Sequence, residues 1–285
     1  MKAVHTLRHQ HNVKTLCRVL GVNRSTYYGY VNRKPSARTL ENQQLRTAIL
    51  EIYGKSRKRF GAHKIRQRIL VEYGIKISVG RVYRLMKEMQ LPKMSTVKPK
   101  YVKSFAEDVD CPNLLQKKFA PTAPNQVWVS DITYKRVSGN WRYICAIIDL
   151  FGRKLIAYSF ASRPTAELAI NTFSAAYYSR GMPKGLLFHT DRGSQYTAKK
   201  FRQLLDKLDI IQSFSAKAHP YDNAVIESFF KYLKQEELDR KSFNSDAELS
   251  LSLFEYENFY NHQRPHSFND GLTPCEAEDK FYLIE

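Results

Sequence analysis

A chain of 285 residues with 43% apolar content is long enough for two or three domains with packed cores, and its net charge of +19 is unevenly placed. Residues 1–100 hold 23 Lys and Arg against 4 Asp and Glu, whereas the other 185 residues hold 23 of each, so the excess lies in the N-terminal third. That asymmetry points to nucleic acid or an anionic surface, while the lack of any apolar window of about 18 residues excludes a spanning helix.

The opening stretch, MKAVHTLRHQHNVK, carries no hydrophobic run of the kind a secretory signal has. Cys17, Cys111, Cys145 and Cys275 lie far apart with no CxxC, so a reducing compartment is expected, without a disulfide framework or a zinc site. From Val13 the segment VKTLCRVL reads as a helix that meets Gly21, and a second helix follows with Asn23 or Ser25 as its cap. Helix, glycine turn and helix form a helix-turn-helix pattern. Arg24 and Tyr27 or Tyr28 stand near the start of the second helix, where base edges are read. The basic stretch RKPSART (33–39) reads as a linker.

A second unit of similar design runs to about Leu91. AHKIRQRILVEYG is an amphipathic helix ending at Gly74, and another begins at Ser78 with Val82, Leu85, Met86 and Met89 at core spacing. Arg81, Arg84 and Lys87 fall on a different face, and the loop KSRKRFGAHK (55–64) is suited to phosphates. Prolines at 92, 99, 112, 121 and 124 then interrupt any long helix, which marks a linker.

A new domain opens with strands over 127–137, 141–151 and 153–161, the first two joined by a turn at 138–140. A helix at 165–180, a short buried strand in GLLFHTDRG, a helix at 197–209, a strand at 210–216 and a helix over 222–240 complete a mixed α/β sheet with helices on both faces. On the last of these helices, Val225, Ile226, Phe229, Tyr232 and Leu233 form an apolar stripe. Glu227, Lys231 and Lys234 share the opposite face, which can also be read as a solvated face with an i,i+4 ion pair. Asp222 or Asn223 is available as the cap. The stretch 245–266 reads as a capped amphipathic helix and a proline turn, with Arg264 and His266 able to touch DNA or a second subunit.

Three acids stand out. Asp131 lies inside the first strand, where an unpaired charge costs several kcal/mol. Asp191 ends the fourth strand, where α/β sheets place their sites, and Glu227 lies on the helix. Three carboxylates converging on one sheet edge can hold hard divalent ions. By strand parity Asp149 points to the other face, in a structural role with Arg153, while His189 can orient an acid or contact phosphate.

The motifs WVSDITY, HTDRGSQY and DNAVIESFFKYLK, with 35 residues between the second and third acids, resemble the acidic motifs of the RNase H-like integrase and transposase superfamily. RSTYYGY, residues 52–91, IDLFGRK and YNHQRPHSFNDGLTP extend the resemblance, over nearly the whole chain, to the second reading-frame product of IS-three insertion-sequence transposases. Thr190 and Gly152 stand where serine is common in that family.

The resemblance implies an RNase H-like five-stranded core at 121–240 with a helical extension at 241–285, preceded by helix-turn-helix units at 1–38 and 39–92 and a linker at 93–120. It implies Asp131, Asp191 and Glu227 as catalytic acids and metal ligands for two Mg²⁺ or Mn²⁺ ions. Arg24, Tyr27, Arg81, Arg84, Arg192, Lys231, Lys234 and Arg264 are the expected DNA contacts, with Lys234 at a position that meets the DNA end. The expected activity is strand cleavage and transfer at terminal inverted repeats, by copy-out and paste-in through a circle, in an oligomer on double-stranded DNA. A bacterial, cytoplasmic, nucleoid-associated location and an upstream reading-frame partner are implied as well. The rival reading is a non-catalytic DNA-binding regulator.

Overall fold

The computed structural model describes residues 1–32, 34–91, 112–116, 119–215 and 223–284. Its N-terminal part is all helical: α1 (Lys2–Leu7), α2 (Val13–Val19), α3 (Arg24–Val31), α4 (Ala37–Lys55), α5 (Ala62–Tyr73) and α6 (Val79–Glu88). Short polar side chains start these helices by accepting otherwise unpaired N–H groups. Asn12 caps α2, Asn23 caps α3, Ser36 caps α4 and Ser78 caps α6. Gly74 ends α5 in the left-handed conformation at φ 66°, which costs glycine no steric penalty. The first three helices close on a small core of Val4, Leu16, Cys17 and Tyr27. Tyr27 is therefore a buried packing residue and not an exposed reader of bases, since its ring fills the space the short helices leave between them.

The sheet follows with β1 (Val127–Val137), β2 (Asn140–Asp149), β3 (Lys154–Ala161), β4 (Leu187–Thr190) and β5 (Ile211–Phe214). Its order is β3-β2-β1-β4-β5, with β1, β2 and β3 antiparallel and β4 and β5 parallel to β1. This is the expected mixed five-stranded architecture. Alternation along β1 sends Trp128 to one face and Val129 and Val137 to the other. The Trp128 face is covered by α7 (Ala166–Ser179) and α9 (Lys199–Lys207), after the short α8 (Ser194–Thr197). The Val129 face is covered by α10 (Ala224–Glu236) and α11 (Asp246–His262), and α12 (Pro274–Tyr282) closes the chain behind a Thr273–Glu276 capping box.

Most of the expected linker, like Cys111, His219 and Asp222, lies outside the described residues. The described end of that linker is packed: Leu115 is buried, and the Leu114 and Leu115 N–H groups donate to Ser213 Oγ. Asp149 does turn to the face away from Asp131. It accepts hydrogen bonds from the Asn125 and Phe151 N–H groups, and its charged neighbour at 3.8 Å is Arg180. The expected partner, Arg153, instead donates to the Phe119 carbonyl and lies over the Phe268 ring.

The helical unit α4–α6 shares one apolar core with the sheet and α10–α11, Phe60 meeting Phe259 at 5.7 Å between ring centroids. At the centre of that contact stand two adjacent buried acids. Glu236 takes both Arg264 nitrogens, at 2.9 and 3.1 Å, as well as Lys64 Nζ and the Tyr256 hydroxyl. Glu237 takes Arg59, Lys241 and Ser252. The loop 55–64 therefore faces inward at Arg59 and Lys64, which removes them from any phosphate. Arg264 is 3% exposed, so it is a buried counter-ion and not the expected DNA contact. Burial alone would push both glutamates up; the surrounding cations and donors outweigh it and hold both below the ordinary range. Burial and the Arg264 cation pull Lys64 down to about 8 despite its bond to Glu236.

Removing one partner of such a pair leaves an uncompensated buried charge. Glu236→Ala is expected to destabilise the chain by about 3–5 kcal/mol in urea unfolding. Arg57→Ala, at the solvent-facing pair with Glu255, should cost under about 1 kcal/mol. The depressed values of Glu236 and Glu237 make their contribution complete above the ordinary glutamate range, to be lost as pH falls through the lower folded values. Similar losses for both substitutions would contradict this account.

Candidate active site

The last residue pair shared by β1 and β4 is Ser130 with Thr190. Asp131 and Asp191 are the next residues on each chain. Asp191 lies just past the carboxyl end of β4, and Asp131, part-way along β1, stands where β1 stops pairing with β4 and continues with β2 alone. Asp131 Oδ1 accepts from the Ile132 N–H at 2.7 Å, and Asp191 Oδ1 accepts from the Gly193 N–H at 3.0 Å. Asp131 faces the side on which α10 packs, because its cross-strand partner Ala146 belongs to the same core as Ile226 and Phe229.

Glu227 sits in the first turn of α10, on its exposed side. The start of that helix is fixed by Asn223, which does not cap it. The buried amide of Asn223 instead donates from Nδ2 to the Ser130 carbonyl at 3.1 Å, and its Oδ1 is left without a partner. This bond ties the Glu227 helix to the residue next to Asp131. Asn223 was legible only as a cap, because its partner is distant in sequence.

A second tie lies behind the acids. Ser130 Oγ donates to the Ala146 carbonyl at 3.0 Å, so the Tyr196 hydroxyl at 2.8 Å must donate to Ser130. Tyr196 is fully buried and follows Asp191 by five residues, so one hydroxyl pair joins the strand of the first acid to the turn of the second. Neither hydroxyl stands out in the sequence, although Ser130 adjoins Asp131 and Tyr196 closes the HTDRGSQY motif of Asp191. His189 is buried, with Nδ1 bonded to Ser213 Oγ at 2.9 Å and Nε2 to Ser215 Oγ at 3.2 Å. Two N–H groups already donate to Ser213, so its proton goes to Nδ1 and the ring carries its own on Nε2. His189 thus links β4 to β5.

The three acids act on one another. Burial pushes Asp131 well above the ordinary carboxylate range, Asp191 adds to it, and the Ile132 N–H opposes it; Glu227 raises it further and Lys234 lowers it. Burial also raises Asp191, against the Gly193 N–H. Glu227 is raised by burial and then by Asp191. Burial lowers Lys234, while the Asp239 and Asp131 charges pull the other way.

Like charges gathered without compensation are what a hard cation relieves, and the donor set is all carboxylate oxygen, which suits Mg²⁺ or Mn²⁺. Among the described residues, however, no three His, Cys, Asp or Glu side chains close together tightly enough to hold an ion. The two aspartates are adjacent, while Glu227 is near enough to be felt but does not complete a cluster.

The other residues expected at DNA divide. Lys231, Arg84 and Arg24 are exposed. Arg81 is engaged by Glu41 and Asn42, and Arg192 donates Nε to the Ser215 carbonyl. Lys234 lies 4.7 Å from the centre of the Tyr134 ring. Lys14, Arg18 and Arg24 line one shallow cleft on the first helical unit.

Family models described as Integrase core domain match residues 121–220 and 208–274, and one described as HTH-like domain matches residues 40–101. The Insertion element IS600 uncharacterized 31 kDa protein of Shigella sonnei is 36% identical over 271 residues, covering 94% of this chain and 99% of that protein. Transposase InsF for insertion sequence IS3A, from Escherichia coli strain K12, is 34% identical over 286 residues, covering 98% of this chain and 99% of its own. A chain of the simian T-cell lymphotropic virus intasome in complex with PP2A regulatory subunit B56 gamma aligns with a TM-score of 0.46 at 17% identity, over 74% of this chain and 70% of that one.

The crowding of carboxylates has a measurable cost. In metal-free buffer at neutral pH, Asp131→Asn is expected to raise the thermal midpoint by about 2–4 °C, as about 1 kcal/mol does in a chain of this size. A raised folded carboxyl destabilises above its folded value, so the gain should shrink as pH falls toward the ordinary range. Calorimetry showing a lowered midpoint at neutral pH would sink this reading.

Proposed function

The chain belongs to the IS3 (IS-three) family of insertion-sequence transposases, and from that premise we propose that it binds the terminal repeats of its element and cuts and rejoins DNA strands there. The observation that carries this reading is the placement of Asp131 and Asp191 directly after the last β1–β4 pair, with the Glu227 helix tied to Ser130 by Asn223.

In this reading Asp131, Asp191 and Glu227 hold two Mg²⁺ or Mn²⁺ ions. When bound, those ions would activate water or a DNA 3′-hydroxyl and stabilise the leaving oxygen. The chain's own residues do the rest. The Ser130–Thr190 pairing of β1 with β4 fixes the two aspartates with respect to each other, and the Tyr196–Ser130 and Asn223–Ser130 bonds hold the three elements in register. Lys234, which already feels Asp131, neutralises phosphate beside the acids, with Lys231 and Arg192. The basic helical third supplies salt-dependent affinity for the duplex, with the exposed Arg24 and Arg84 among its contacts. Two ends must meet for transposition, so the working form is an oligomer on DNA that acts by copy-out and paste-in. An upstream reading-frame product is a candidate partner. Among the described residues no helix is long and apolar enough to cross a membrane.

The test is joining of a labelled DNA that carries the element's own ends, in Mg²⁺. Wild-type chain should give joined product, and Glu227→Gln should reduce its rate about a thousandfold, the equivalent of several kcal/mol of lost charge stabilisation. End binding with no product from wild type, alone or with the upstream product fused, would replace this reading with that of a regulator.

A further inference from the structure

Beyond the end of β4 the β1–β2 hairpin continues with one edge of β1 unpaired by β4. Its register sets Tyr134 opposite Tyr143 and Arg136 opposite Trp141, so these four share one face. Two large rings are left open there: Tyr134 is 47% exposed and Trp141 is 42% exposed. The rings meet edge to face at 5.0 Å. The Arg136 guanidinium stands 4.6 Å from the Trp141 ring centre, and Lys234 Nζ stands 4.7 Å from that of Tyr134.

Exposed aromatic faces flanked by fixed cations are complementary to one chemistry above others, a nucleobase with its phosphate. Any base offers a π-face to stack, and the cations answer the backbone charge. An unpaired base suits the site best, because inside a duplex the stacked neighbours cover both of its faces. Tyr134 lies three residues along β1 from Asp131, a rise of about 10 Å, and strand alternation turns the two side chains to opposite faces of the open β1 edge. Lys234 bridges the two places, since it touches the Tyr134 ring while its charge is felt by Asp131.

We propose that Tyr134 and Trp141 form a stacking subsite for an unpaired nucleobase of the DNA strand led past Asp131, with Arg136 and Lys234 holding the adjoining phosphates. The placement of that strand rests on the function proposed above, whereas the stacking does not require the cutting chemistry.

The chain has 2 tryptophans, and Trp128 is fully buried, so quenching of emission by DNA reports on Trp141. The experiment uses the full chain in EDTA, with a duplex of the element's end carrying a three-nucleotide unpaired tip and the same duplex fully paired. The unpaired tip should quench Trp141 emission at saturation, and the paired duplex should quench it much less. By anisotropy, Trp141→Ala should weaken binding of the tipped DNA roughly tenfold and that of paired DNA less than about twofold. Trp141→Phe keeps an aromatic face and should retain most of the affinity, and Tyr134→Ala keeps the reporter should Trp141→Ala fail to fold.

No quenching by tipped DNA at saturation, or equal weakening of both DNAs by Trp141→Ala, would overturn the subsite. Joining assays on the same preparations separate the two readings. Quenching without joining would uphold the subsite and count against the catalytic reading, and joining without quenching would do the reverse.

Discussion

Two consecutive carboxylates at the end of α10, Glu236 and Glu237, collect basic side chains from three distant parts of the chain. Lys64 and Arg59 arrive from the helical unit, Lys241 from just beyond the helix, and Arg264 from beyond α11. Nearly everything about the candidate site depends on this knot. It fixes the far end of the helix whose near end carries Glu227, and Asn223 fixes that near end against β1. The helix is thus held at both ends by buried polar bonds and along its length by Ile226, Phe229 and Leu233. Glu227, exposed and without a hydrogen-bond partner among the described residues, is placed by a rigid support.

The same polarity logic runs through the sheet. Ser130, Tyr196, His189 and Ser213 are buried polar groups that bond to one another, to Ser215 and to backbone, and together they join β1, β2, β4 and β5. Among the described residues the carboxylates of Asp131 and Asp191 accept only from local N–H donors, so the repulsion between the acids is opposed by little more than the Lys234 charge. The fold spends its polar bonds on position and leaves the charge for something else to neutralise.

Periodicity made much of this legible. The five strands, the turn before β2, the parity that sends Asp149 away from Asp131, and the apolar stripe of α10 all follow from local spacing. Partners far apart in sequence did not. Arg264, Arg59 and Lys64 look like surface residues because they are basic, yet their counter-ions are the buried Glu236 and Glu237 at the end of α10. One signal was available: Glu236 lies at 180° from Glu227 on the helical wheel, in the middle of the apolar stripe, and an acid there demands a buried cation. Tyr27 was taken for a reader of bases because recognition helices expose such positions. Three helices as short as α1, α2 and α3 need that ring for their own core. Asp149 has Arg180, at the end of α7, within ion-pair distance, while Arg153 in the adjoining turn spends its donor on the Phe119 carbonyl.

The shared core of α4–α6 with α10 and α11 has a consequence for scale. A helical unit on a flexible tether can meet its target at any separation the tether allows. Here Phe60 against Phe259, and Arg59 and Lys64 against the glutamate pair, make that unit and the acid-bearing face a single body. The distance from the outward residues of α6, Arg84 and Lys87, to Asp131 is then set by packed side chains, as on a ruler. A change in that spacing would require repacking a protein interior and not merely lengthening a loop.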